Sequence, residues 1–219
     1  MPEWWGLGTS SSFWLLSRLR AAKGPLAFVD ESFRSPSEAK DSFYILCATV
    51  IPHGNIFRVR TELRELVGKN YFHATELGRS DQGQMILRKV AHYLAREIKP
   101  VLVVIEQLPK SDRDAEAGRE RATRALWQEL AQNELYVTGT VVYERRMRGA
   151  QDASDLRILK TLKRLKLPGN QLNVLSAATK NEPLLWMPDL VAWAFRQAYD
   201  RADNSFFGEL TKVAKIIKI

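Results

Sequence analysis

Leu26-Ala27-Phe28-Val29-Asp30-Glu31-Ser32 carries four apolar residues straight into two carboxylates and a hydroxyl. A short apolar run bounded by polar residues reads as a buried strand, here Leu26–Asp30. Such a strand brings Asp30 and Glu31 to its C-terminal end, where a rigid backbone can hold a carboxylate toward a metal ion. Taken alone, Asp30-Glu31-Ser32 reads as well as the start of a turn, because Asp and Ser side chains bond nearby backbone amides. The rest of the chain decides between the two.

Downstream, Phe43–Ile51 is almost wholly apolar and reads as a strand buried on both faces. Pro52-His53-Gly54-Asn55 ends it. Val59, Leu63, Leu66 and Val67 then recur at helical spacing and predict a helix over Ile56–Val67. A polar-aromatic segment, Tyr71–Leu77, leads to a second helix over Asp81–Glu97. Pro100–Ile105 is a strand closed by Glu106. A helix runs to about Asn133, and a strand at Tyr136–Tyr143 ends at Glu144. Further predicted elements are a helix over Ser154–Leu165, a strand over Leu172–Leu175, a helix whose first turn holds Pro188 and Asp189, and a last helix over Ser205–Ile217. Strands alternating with helices after an early antiparallel pair indicate an α/β fold, a central mixed sheet flanked by helices. Residues 26–219 read as one domain. Residues 1–25, with Trp4, Trp5 and Trp14 among Gly, Ser and Thr, read as an N-terminal arm, flexible or with a helix near Ser12–Ala22.

Three acids fall at strand or helix ends: Asp30, Glu144 and Asp189. Glu31, Glu76 and Glu106 are further candidates, with Glu106 the alternative to Glu144 because both close apolar strands. Converging carboxylates repel one another unless a cation sits among them. Oxygen-only ligands suit Mg²⁺ or Mn²⁺, and a pair of such ions clamps the attacking and leaving oxygens of a phosphoryl displacement.

The chain has 219 residues and a formal net charge of +8, a balance that favours anionic partners. A net +5 of that charge lies in residues 144–166, which include Arg145, Arg146, Arg148, Arg157, Lys160, Lys163 and Arg164. A basic run of this kind serves equally as a solvated helix face or as a grip on a phosphate backbone. Cys47 is the single cysteine, so an internal disulfide and a multi-cysteine zinc site are both excluded. Its place in an apolar strand fits a reducing, cytoplasmic setting. No stretch approaches a membrane span, and Phe13–Leu16 is too short for the core of a signal peptide.

Asp30-Glu31-Ser32 after an apolar strand, a second apolar strand, a His-containing segment, and Pro183-Leu184-Leu185-Trp186-Met187-Pro188-Asp189-Leu190-Val191-Ala192 late in the chain together resemble the family called domain of unknown function 3800. The resemblance covers roughly residues 26–200 in order and spacing. It implies a ribonuclease H-like fold and metal-dependent nuclease activity, with Mg²⁺ or Mn²⁺ as cofactor and DNA or RNA as partner. Asp30 matches the family's first-strand acid and Asp189 the acid that opens the late helix. Glu144 is the choice for the middle acid, and His73 and Glu76 stand where relatives carry a His and acid pair. Phe33 replaces the family's glycine after Ser32, and Pro188 replaces its alanine before Asp189. Both departures leave the carboxylates in place and are compatible with a branch that keeps the fold as a non-catalytic nucleic-acid-binding module.

Overall fold

The computed structural model describes residues 12–37, 41–132, 139–144, 173–179 and 182–219. In chain order its elements are α1 (Ser12–Ala21), β1 (Leu26–Arg34), β2 (Phe43–Ile51), α2 (Ile56–Val67), α3 (Ala74–Leu77), α4 (Asp81–Glu97), β3 (Lys99–Ile105), α5 (Glu116–Gln132), β4 (Thr140–Glu144), β5 (Asn173–Ala177), α6 (Trp186–Arg201) and β6 (Lys215–Lys218). The strands form one six-stranded sheet in the order β5-β4-β1-β2-β3-β6. β1 and β2, and β2 and β3, are antiparallel. β4 runs parallel to β1, β5 to β4, and β6 to β3. The sheet is therefore mixed.

Alternation along each strand sends successive side chains to opposite faces. Leu26 and Phe28 of β1, Cys47 of β2 and Val142 of β4 share one core with residues of α1, α2, α4 and α6. Ala27, Val29, Tyr44 and Val141 pack on the other side with Ala122, Leu126 and Trp127 of α5. Helices on both faces explain why all nine residues of β2 are buried.

Two elements differ from the sequence-based expectation. β1 does not end at Asp30 but continues to Arg34, because Glu31–Arg34 pair with Leu46–Phe43 of β2. Asp30 is thus the middle residue of a nine-residue strand. The expected last helix is not formed: after a 3₁₀ turn at Leu210–Lys212, the β-branched pair in Lys215-Ile216-Ile217-Lys218 lines up beside Val101–Val104 of β3. Backbone groups on the outer edge of β3 would otherwise lack partners, and β-branched residues favour a strand there. Near the N-terminus, Ser12–Ala21 is a helix, and its Leu15 and Leu19, one turn apart, are buried in the α6-side core.

Residues 133–138 lie outside the described residues, so the expected Tyr136–Tyr143 strand is seen only as β4. The expected helix at 154–165 lies outside them too, as do Arg145, Arg146, Arg148, Arg157, Lys160, Lys163 and Arg164. Among the described residues no helix is long and apolar enough to cross a membrane.

Candidate active site

Asp30 sits where the parallel ladder stops. The last pair between β1 and β4 is Val29 with Tyr143, so Asp30 and Glu144 each come one residue later on neighbouring strands. Both fall on the α6 side of the sheet by alternation. The Glu144 carboxyl group lies within interaction range of the Asp30 carboxyl group. Glu144 also accepts a hydrogen bond from the Thr179 hydroxyl, just beyond β5. The Asp30 carboxylate accepts the Glu31 backbone N–H at 2.7 Å.

Asp189 arrives from a different layer. A 3₁₀ turn, Pro183–Leu185, leads into α6 at Trp186, so Pro188 lies within the first turn, where its missing donor breaks no helical bond. Asp189 follows in the same turn. Its carboxylate accepts the Ala74 backbone N–H at 2.9 Å, and His73 Nδ1 lies 3.7 Å from it. The turn that presents Ala74 is held from both sides. Phe72 is fully buried and stacks on Trp186 with ring centroids 5.6 Å apart. On the far side, Gly83 of α4 meets the Leu77 carbonyl so closely that an added Cβ would lie 2.0 Å from its oxygen.

The electrostatics follow from this packing. Burial, then the charges of Asp189 and Glu144, push the Asp30 carboxyl well above the usual carboxylate range, and only Arg119 acts in the opposite sense. Burial pushes Asp189 up to about 6 against the Ala74 N–H bond and His73, with Glu144 and Glu76 adding to the rise. Asp30 and Asp189 are thus buried on the α6 side with Glu144 of β4 close enough to act on both, and His73 and Glu76 stand at the margin.

The other candidate acids go elsewhere. Glu31, expected as a possible metal ligand, is turned by alternation to the α5 side. There it accepts the Tyr44 hydroxyl at 2.5 Å and forms an ion pair with Arg119. Glu106 lies two strands across the sheet and four residues along from Cys47, the partner of Asp30, on the order of 15 Å away by strand spacing. It pairs with Lys218 of β6 at 2.5 Å. Glu76 is exposed and accepts a hydrogen bond from the Tyr71 hydroxyl at 3.4 Å.

Sequence reasoning passed over three residues here. Thr179 orients Glu144 and is a lone hydroxyl with no sequence signature. Tyr71 has its hydroxyl pKa raised, first by partial burial and then by the charges of Glu76, Asp189 and Glu144. Glu182, fully buried, accepts from Arg60 Nε at 3.2 Å and from the Leu184 N–H at 3.1 Å, fixing the turn that leads into α6.

As the side chains stand, no group of three or more His, Cys, Asp or Glu among the described residues is arranged to hold a metal ion. The chemistry of the donors is nonetheless of the kind a hard cation takes: carboxylate oxygens, brought together against their own repulsion and without a lysine or arginine among the partners described for Glu144 and Asp189.

No family model and no curated protein matches the chain. Among solved structures, the chain is similar to one in the PCNA:RNase HII complex from Archaeoglobus fulgidus, at 13% identity and a TM-score of 0.46, over 83% of this chain and 77% of that one.

Proposed function

We infer that the protein is a metal-dependent nuclease with a ribonuclease H-like core. The observation that carries this reading is the convergence of Asp30, Glu144 and Asp189 from β1, β4 and α6 onto one side of the sheet. The resemblance of the Asp30-Glu31-Ser32 and Pro183–Ala192 segments to domain of unknown function 3800 supports it.

In this reading Asp30, Glu144 and Asp189 would hold Mg²⁺ or Mn²⁺, which would supply a nucleophilic water and offset charge on the phosphate. The chain's own residues prepare the site. Thr179 and the Ala74 N–H orient Glu144 and Asp189. His73, with its side chain about half exposed beside Asp189, is placed to hydrogen-bond an incoming phosphate oxygen. Arg145, Arg146, Arg148, Arg157, Lys160, Lys163 and Arg164 follow Glu144 in sequence and supply the grip on the phosphate backbone.

A second reading, a non-catalytic nucleic-acid-binding module, is favoured by Phe33 and Pro188, which stand where the family that the chain resembles carries glycine and alanine. Mn²⁺ calorimetry on the wild type and an Asp30→Asn/Asp189→Asn double variant, with cleavage of labelled DNA and RNA on the same samples, separates the two. Metal binding and cleavage lost together in the variant establish the nuclease. Salt-sensitive oligonucleotide binding that is equal in both proteins, with cleavage by neither, establishes the binding module.

A further inference from the structure

Tyr71 is the one large aromatic at the margin of the acids that the core has not absorbed among the described residues. It is 49% exposed, whereas its neighbour Phe72 is fully buried. His73 has an extended backbone, with φ −146° and ψ 114°. Phe72 is buried against Trp186 while Tyr71 and His73 on either side of it are exposed, so both of these side chains face outward. Each is tied to a different acid: His73 lies 3.7 Å from Asp189 and the Tyr71 hydroxyl 3.4 Å from Glu76. The segment is held by the buried Phe72 behind it and by the α3 turn after it. An exposed aromatic ring therefore stands two residues from His73, which is placed to meet a phosphate oxygen.

We propose that Tyr71 is a stacking platform for an unpaired nucleobase next to the scissile phosphate, which makes single-stranded nucleic acid the substrate class. This rests on the nucleic-acid reading of the site. A base can offer its face to a tyrosine only when it is not stacked within a duplex. Base–aromatic stacking accepts any base, so the platform selects for strandedness rather than sequence. The 3.4 Å hydrogen bond to Glu76 engages the hydroxyl and not the ring.

The test uses the full chain and short single-stranded DNA and RNA oligonucleotides carrying 2-aminopurine, in the presence of a chelator so that nothing is cleaved. Quenching of the 2-aminopurine fluorescence reports stacking directly. Wild type and Tyr71→Phe are expected to quench and to bind alike. Tyr71→Ala is expected to lose the quenching and bind about tenfold more weakly, with an unchanged melting temperature because the ring is half exposed. The proposal is overturned if the wild type does not quench, if Tyr71→Ala quenches like the wild type, or if Tyr71→Phe fails as badly as Tyr71→Ala, which would assign binding to the hydroxyl. A duplex of the same sequence that binds as tightly as the single strand also overturns it. Quenching by a wild type that cleaves nothing when Mn²⁺ is restored leaves the platform standing and removes the nuclease reading instead.

Discussion

On the α6 side of β1, Asp30 shares its surroundings with Glu144 and Asp189; on the α5 side, one residue further on, Glu31 has the Arg119 guanidinium and the Tyr44 hydroxyl. Both acids lie in the same strand and are partly buried. What differs is the charge opposite them. Arg119 is itself buried, and its ion pair with Glu31 ties α5 to the sheet as a structural fastening. The Asp30 side gathers like charges, an arrangement that costs stability and that a fold keeps only where something else is gained. Neighbouring carboxylates thus divide between holding the sheet together and being held by it.

Four experiments test that contrast. The largest effect is expected from Asp30→Asn: cleavage by the Mn²⁺-loaded protein should fall by about a hundredfold or more, while the melting temperature holds or rises because a repelling charge is gone. A melting temperature that drops sharply would make Asp30 as structural as Glu31. Arg119→Ala should do the opposite, unfolding the protein more easily by about 3 kcal/mol because it takes a buried ion pair away from the Glu31 carboxylate. Urea denaturation measures this, and an Arg119→Ala/Glu31→Leu double variant should recover part of the loss.

Next comes pH. Folded Asp189 titrates near 6, above an ordinary Asp, so between about pH 4 and 6 the folded state holds more of this proton than the unfolded state does. Stability then falls as pH rises through that window. The melting temperature of Asp189→Asn relative to wild type should climb from pH 4 to 6, by the equivalent of on the order of 2 kcal/mol, and level off above. A difference that stays flat with pH would remove Asp189 from the strained set. Smallest of all is Glu106→Gln. Its partner Lys218 is exposed at the sheet edge, so neither melting temperature nor cleavage should change measurably. A loss of cleavage there would return Glu106 to the site.

The strands were legible where apolar runs were long: Leu26–Val29 and Phe43–Ile51 read correctly because burial on both faces leaves no room for polar residues. Which side of β1 each acid takes was not legible, because that required knowing that pairing with Phe43–Leu46 carries the strand past Ser32. Nor could sequence separate Glu144 from Glu106. Both close an apolar strand, and only the order of strands puts β4 beside β1 and β3 beyond β2. Asp189 was readable from its place after Pro188, although α6 begins two residues earlier than that proline. β6 was missed because four residues that complete an edge carry too little periodicity to tell strand from helix.

β4 pairs with β1 only after the chain has travelled out through β2 and β3 and back, and α6 comes later still. Asp30 is therefore made early during synthesis and waits for Glu144 and then Asp189 to emerge. Contacts this distant along the chain close slowly, after local helices and hairpins. A nascent chain that has not yet reached residue 189 therefore carries Asp30 and Glu144 without the third acid of the set.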